Sequence, residues 1–182
     1  MNITKYFQDL NDTLSSIDLN NIENAISIIK DKVEDNKKII TCGNGGSAYA
    51  ASHYITDWNK SYNLKTGKKF KGLSLCDNYG LVTAYANDTS YENVFSGQLE
   101  NIGEVGDLLI VVSGSGNSKN IINALKTAKK LSIKTLSVIG YDGGECINIS
   151  DYFVHIPSFD MQICEDAHLI LGHIIMKALC SC

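Results

Sequence analysis

Hydrophobic and polar positions alternate in blocks along most of this chain. Five short apolar runs are each followed by a turn rich in small or polar residues. Most of these turns lead into residues with the apolar spacing of a helix. The runs lie at 39–42, 72–76, 107–112, 135–139 and 152–156. Short apolar strands that alternate with helices form a parallel sheet with both faces covered. The pattern therefore predicts an α/β fold, a doubly wound five-stranded parallel sheet with flanking helices.

The residues ahead of the first strand have the spacing of helices. Between residues 4 and 35 apolar positions recur every three or four residues, with a break between Ser15 and Asn21. We therefore expect a helical N-terminal extension at 1–36 and an α/β core at 37–182. With 182 residues the chain has the usual size of one domain, and we expect 1–182 to be a single domain.

Charge and composition exclude several classes of partner. The chain has 16 Lys and Arg against 20 Asp and Glu, a formal net charge of −4. This acidity argues against a protein that binds the nucleic-acid backbone, which needs a basic surface. No apolar run approaches the roughly 20 residues that cross a bilayer, and the first residues lack a signal-peptide pattern. Six scattered cysteines without a C-x-x-C pair are typical of reduced thiols. We expect a cytoplasmic protein that binds neither nucleic acid nor membrane.

Two loops that follow predicted strands have the composition of anion sites. The first, residues 43–47, is Gly-Asn-Gly-Gly-Ser, and it fits either an anion-binding loop or a tight turn in which Ser47 caps the next helix. The second, residues 113–118, is Ser-Gly-Ser-Gly-Asn-Ser. Its three hydroxyls can each donate to a phosphate oxygen, whereas a helix cap needs only one such residue. The second loop therefore favours phosphate binding, beyond the carboxyl ends of the strands.

Histidines and carboxylates cluster on two predicted helices. His53 and Asp57 are four residues apart and share one helix face, as paired metal ligands or as an ordinary surface ion pair. The last helix carries two carboxylates and two histidines within nine residues, namely Glu165, Asp166, His168 and His173. Glu165 and His173 are about 80° apart around this helix. The spacing leaves open both a divalent metal site, for zinc or a similar ion, and histidines of the core.

Several motifs follow one another in an order typical of one family. They are CGNGGSA (42–48), LSLCD (73–77), AYAND (84–88), GDLLIVVSGSGNS (106–118), GYDGG (140–144) and IPS (156–158). Together they resemble the SIS (sugar isomerase) domain family and, within it, the phosphoheptose isomerases. The resemblance extends from about residue 20 to residue 178.

The resemblance implies an activity and a set of substrate contacts. It implies a homotetramer that converts sedoheptulose 7-phosphate to D-glycero-D-manno-heptose 7-phosphate through an enediolate, for lipopolysaccharide, capsule or another heptose-containing product. The two loops would bind the phosphate, and Asp77 would contact sugar hydroxyls. The substrate-binding residues are then Asn44, Gly45, Ser47, Asp77, Ser113, Ser115, Asn117 and Ser118.

The resemblance also implies a zinc site and the groups that move protons. The family pattern H-x-x-x-E and Q-x-x-x-x-x-x-x-H reads here as His53 to Asp57 and Glu165 to His173. All four would hold zinc, and Asp57, His173 and Glu165 would be the catalytic residues. Asp57 replaces a glutamate and Glu165 replaces a glutamine, which indicates a divergent branch that still has a carboxylate at each changed position. Gly114 stands where many members have threonine.

Two other functions remain open at this point. A SIS protein of this size can be a non-catalytic scaffold or a sugar-phosphate sensor that binds a protein partner. The presence of His173, which such a scaffold can lack, favours the enzyme. The phosphate loops also fit other sugar phosphates, including those of amino-sugar or arabinose pathways.

Overall fold

Five parallel strands form the sheet at the centre of the protein. A computed structural model describes residues 2–181. The strands are β1 (Ile39–Gly43), β2 (Gly72–Ser74), β3 (Leu108–Ser113), β4 (Lys134–Ile139) and β5 (Tyr152–His155), in the order β2-β1-β3-β4-β5. The doubly wound five-stranded parallel sheet is confirmed. The largest difference is β2, which ends two residues earlier than predicted because Cys76 turns back and its N–H bonds to the Ser74 hydroxyl.

Eight α-helices flank the sheet within the described residues. They are α1 (Ile3–Ser15), α2 (Leu19–Glu34), α3 (Gly46–Thr66), α4 (Tyr79–Asp88), α5 (Ser96–Ile102), α6 (Lys119–Lys130), α7 (Cys146–Ile149) and α8 (Met161–Leu179), with a 3₁₀ turn at Tyr91–Asn93. The predicted N-terminal helices are α1 and α2. They begin where Asn2 and Asp18 accept hydrogen bonds from backbone N–H groups of the first turn.

Each face of the sheet has its own hydrophobic core. Side chains alternate along β3, so Leu108 and Ile110 point to one face and Leu109 and Val111 to the other. The first core packs against α2, α3 and α8, and the second against α5 and α6. Because α2 belongs to the same core as α3 and α8, we propose that residues 1–182 form a single domain.

The strand order places the two glycine- and serine-rich loops side by side. The chain leaves β1 to form β2 on one side and then crosses to form β3 on the other, so β1 and β3 flank the point where the order reverses. Gly43 at the end of β1 pairs in register with Val112, one residue before the end of β3. Ligands of such sheets bind at this position, beyond the carboxyl ends of the strands.

The described cysteines are free thiols in structural positions. Cys42, Cys146 and Cys164 are buried, and Cys42 belongs to the second core. Burial raises the pKa of the Cys42 thiol well above its usual value, which keeps it protonated and unreactive. Between residues 2 and 181 no helix combines the length and the apolar character that a bilayer crossing requires.

Candidate active site

The first loop forms a tight turn with open backbone donors. Gly45, with φ +52°, occupies the N-cap position of α3, and no side chain bonds to the N–H groups of the first turn. Ser47 is buried one residue inside the helix, so the interpretation of Ser47 as the helix cap is wrong. A side chain at Gly43 would meet the Ser47 carbonyl oxygen at 2.5 Å, which explains a glycine there. The uncapped helix N-terminus can bind an anion.

The second loop keeps its three hydroxyl hydrogens available. Ser113 Oγ accepts from the Gly116 N–H at 3.1 Å, and Ser115 Oγ accepts from the Asn117 N–H at 3.3 Å. Ser118 is the N-cap of α6, yet its hydroxyl makes no cap hydrogen bond. A hydroxyl that accepts a hydrogen bond can still donate its own hydrogen. The loop therefore offers three neutral donors to a ligand.

The two loops enclose a cavity of about 260 Å³. Its lining residues are Asn44, Gly45, Gly46, Ser47, Ser113, Gly114, Ser115, Ser118, Met161 and Glu165. Six of the eight residues predicted to bind substrate are among them. Among the described residues its lining includes no lysine or arginine and one carboxylate, Glu165, so the donors to an anion bound there would be neutral hydroxyl, amide and backbone N–H groups.

The structure does not bring Asn117 or Asp77 to this cavity. The Asn117 side chain turns away to accept from the Glu145 N–H at 2.9 Å and to donate to the Ser115 carbonyl, so it supports the loop. Asp77 lies in a separate groove of about 660 Å³ between α3 and the edge strand β2. The chain turns after Ser74, which carries the Asp77 side chain away from the loops.

Three of the four predicted metal ligands lie together across two helices. His53 Nε2 is 3.0 Å from His173 Nε2, and Asp57 Oδ2 is 3.5 Å from the former and 3.7 Å from the latter. Ligand atoms of a tetrahedral zinc ion lie about 3.3 Å apart, because each is 2.0–2.1 Å from the metal. Two imidazoles and a carboxylate at this spacing fit such an ion. The two histidines are about half-exposed and line a groove of about 650 Å³, the triad groove, whereas the Asp57 side chain beside them is less exposed.

Glu165 lies outside this triad. The ligand atoms of His53, Asp57 and His173 all lie within 4.8 Å of one another, and Glu165 does not join that group. Its carboxylate instead occupies the space that a side chain on Gly46 would fill, at the N-terminus of α3. The positive end of a helix stabilises a carboxylate there. Because Glu165 and Gly46 line both the loop cavity and the triad groove, they mark where these two spaces meet.

The two other ionisable residues of α8 have separate surroundings. His168 is fully buried, and neither ring nitrogen has a hydrogen-bond partner among the described residues. Burial lowers its pKa to about 4, so it is a neutral core residue and not a ligand. Asp166 accepts a hydrogen bond of 2.7 Å from the Tyr6 hydroxyl of α1, which raises the pKa of Tyr6 to about 12. The contact attaches α1 to the rim of the triad groove.

We expect His168→Leu to remove a pH-dependent loss of stability. The folded pKa of about 4 lies below the usual 6.5, so the unfolded chain binds a proton first as the pH falls. This contribution to the free energy of unfolding is present above pH 6.5 and is lost by about pH 4, at a cost of about 3 kcal/mol. Urea unfolding at pH 7 and pH 4.5 measures it. If the free energy of unfolding fell by the same amount between pH 7 and pH 4.5 in the wild type and in His168→Leu, the burial of a neutral His168 would be contradicted.

Comparison with protein-family models assigns the chain to a family. Residues 5–140 match the family model described as SIS domain. This covers most of the chain, and the chain belongs to the SIS domain family, as predicted.

Curated proteins with similar sequences show which type of SIS domain protein this chain is. The chain is 40% identical over 158 residues to a phosphoheptose isomerase of Helicobacter pylori (strain Shi470), covering 87% of this chain and 80% of the relative. It is 38% identical over 154 residues to one of Clostridium acetobutylicum, covering 85% and 78%. Within the SIS domain family, the chain is one of the phosphoheptose isomerases.

Solved structures agree with this assignment. The phosphoheptose isomerase of Neisseria gonorrhoeae superimposes with a TM-score of 0.90 at 26% identity, covering 97% of this chain and 96% of that one. The enzyme of Francisella tularensis also gives a TM-score of 0.90, at 23% identity and with 97% and 95% coverage, which supports the fold. The predicted fold class is thus found in both.

Proposed function

We propose that this isomerase converts sedoheptulose 7-phosphate to D-glycero-D-manno-heptose 7-phosphate. One observation carries the proposal: the cavity that offers neutral donors shares two lining residues, Gly46 and Glu165, with the groove lined by His53 and His173 of the triad. A linear sugar phosphate has its charged end and its carbonyl end far apart. The two adjoining spaces match these two ends.

The loop cavity is suited to the phosphate end. The N-termini of α3 and α6 both open on it, and neither has a side-chain cap. Their backbone N–H groups and the hydroxyls of Ser113, Ser115 and Ser118 together supply enough donors for a phosphate group. Held there, the phosphate fixes the position of the distant reacting carbons.

The triad groove is suited to the reacting end. Aldose–ketose isomerisation moves one proton between neighbouring carbons and another between their oxygens. Asp57 and His173 face the same point, with 3.7 Å between Oδ2 and Nε2, and are the groups that we propose for these transfers. Glu165 lines both the triad groove and the loop cavity, and it is the alternative base. A zinc ion bound by His53, Asp57 and His173 would polarise the substrate carbonyl and stabilise the enediolate.

We also propose a metal, an oligomeric state, a cellular location and a pathway for this isomerase. The spacing of the triad supports zinc as the metal, although the fourth predicted ligand, Glu165, does not join it in this structure. Exposed apolar side chains on α1, Ile3 and Phe7, support association with further copies of the chain, for which the family resemblance implies a homotetramer. A cytoplasmic location and a role in heptose-containing surface polysaccharides stay predictions.

The test is the turnover of sedoheptulose 7-phosphate with added zinc and, in parallel, after removal of metal with a chelator. We expect ¹H NMR to show new anomeric signals of an aldoheptose 7-phosphate with zinc, and at least tenfold slower conversion in the metal-free protein. Protein that binds the sugar phosphate without converting it would instead be a sensor or scaffold. Conversion of a different sugar phosphate alone would contradict the proposed substrate.

A further inference from the structure

Two residues outside the predicted site hold the side chain of Asn44. Asn44 and Asn120 form a reciprocal amide pair, in which Asn44 Nδ2 donates to Asn120 Oδ1 at 2.9 Å and Asn120 Nδ2 donates to Asn44 Oδ1 at 2.8 Å. The Tyr91 hydroxyl donates to the same Asn44 oxygen at 2.9 Å. The pair therefore joins the first loop to the start of α6, and so joins the two sides of the phosphate cavity.

The direction of these hydrogen bonds is fixed by the backbone. The Ile121 N–H donates to Asn120 Oδ1 at 3.0 Å, and a backbone N–H cannot act as an acceptor. The Asn120 oxygen must therefore lie on this side, and its NH₂ group must face the Asn44 oxygen. Asn120 is 2% exposed, so water cannot readily replace these partners. The orientation of the Asn44 amide follows from that of Asn120.

The network uses all the acceptor capacity of Asn44 and leaves one donor. Its oxygen accepts from both Asn120 and Tyr91, and one of its two N–H bonds is used by Asn120. The remaining N–H belongs to a side chain that lines the cavity. An amide in the opposite orientation would present an oxygen, which repels a phosphate.

Tyr91 is itself held in place against α6. The carboxylate of its neighbour Glu92 forms an ion pair with Lys119 Nζ at 3.0 Å. The Glu92 backbone carbonyl accepts a hydrogen bond from Asn123 Nδ2 at 3.0 Å. These two contacts fix the 3₁₀ turn Tyr91–Asn93 on the helix whose N-terminus opens on the cavity. The hydroxyl of Tyr91 therefore reaches Asn44 from a supported position.

We infer that Asn120 and Tyr91 are positioning residues, which orient Asn44 so that it presents an N–H donor to the substrate phosphate. This inference rests on the proposed phosphate site. Neither residue needs to touch the substrate for this role. Asn44 alone would carry their effect, and that requirement separates this role from a general contribution to folding.

A double-mutant cycle with inorganic phosphate tests the inference. The dissociation constant is measured by ³¹P NMR titration for the wild type, Tyr91→Phe, Asn44→Ala and the double variant. Loss of one hydrogen bond of about 1 kcal/mol predicts about fivefold weaker binding in Tyr91→Phe. In the Asn44→Ala background the same change should alter binding less than twofold. Tyr79→Phe, at an exposed tyrosine of α4, is the matched control and should not change binding.

Turnover of sedoheptulose 7-phosphate by the same variants separates this inference from the proposed function. We expect Tyr91→Phe to raise KM about fivefold and to change kcat less than twofold, and Asn120→Leu to show a larger effect on KM. The inference is overturned if Tyr91→Phe weakens phosphate binding equally in the wild-type and Asn44→Ala backgrounds, or does not weaken it at all. Normal turnover in that case would leave the proposed isomerase function standing. If the effects of Tyr91→Phe and Asn44→Ala on phosphate binding are not additive but sedoheptulose 7-phosphate is not converted, the inference is supported and the proposed substrate is refuted. A wild type that binds no phosphate refutes the inference, and one that also fails to convert sedoheptulose 7-phosphate refutes both proposals.

Discussion

His173→Ala and Asp57→Asn should each lower kcat for sedoheptulose 7-phosphate by a factor of at least about 10³. Each change removes a group that we propose for proton transfer, an effect of about 10²–10⁴ by itself, and also one of the three ligand atoms that fit a metal. Turnover assays and elemental analysis of bound zinc measure the two consequences together. We expect the zinc content to fall in both variants, because two protein ligands alone hold the ion weakly.

Asp57→Glu is the matched control for this prediction. It keeps the carboxylate and restores the residue type that the family pattern has at this position, so it should retain turnover within about tenfold of the wild type. Both side chains of the wild-type pair are at least partly exposed, so the loss-of-function variants should keep the fold and the oligomeric state. Retained turnover in both His173→Ala and Asp57→Asn would refute the assignment of the catalytic groups.

The sequence allows prediction of features that depend on local spacing. The i,i+4 spacing of His53 and Asp57 predicts a shared helix face, and their side chains do meet at 3.5 Å. Glycines and hydroxyls directly after two strands predict loops at one edge of the sheet. The order of the strands then places these loops on neighbouring strands. Local spacing and composition are sufficient for the shared helix face and for the two loops, whereas the neighbouring position of the loops follows from the strand order in the structure.

Contacts between distant segments could not be predicted from spacing. His53 and His173 are 120 residues apart, and only the family resemblance placed them in one site. Local composition gave Asn117 and Ser118 equal weight, yet the Asn117 amide turns to the Glu145 backbone. Asn120 is missed because it lies two residues beyond the serine-rich loop, inside the first turn of α6. A polar residue that falls on the buried face of an amphipathic helix was the available signal.

Gly116→Ala should both destabilise the protein and weaken phosphate binding at least tenfold. Gly116 has φ +65°, and a methyl group on it would overlap the backbone carbonyl of Gly143 in the loop after β4. Its N–H bonds to Ser113 Oγ and its carbonyl accepts from the Cys146 N–H at 3.0 Å, so a shift of this residue disturbs the whole serine loop. We expect a loss of about 3 kcal/mol or more in the free energy of unfolding, measured with urea, and at least tenfold weaker phosphate binding.

Gly67→Ala separates the overlap from the cost of the backbone conformation. Gly67 ends α3 with φ +69°, close to the value of Gly116, but a methyl group there has no atom within 4 Å. The left-handed conformation alone costs about 1 kcal/mol, so this variant should be mildly destabilised and should bind phosphate as the wild type does. If both variants lost the same stability, backbone strain alone would account for the effect. A larger loss in Gly116→Ala identifies the contact between the serine loop and the loop after β4 as the support of the phosphate cavity.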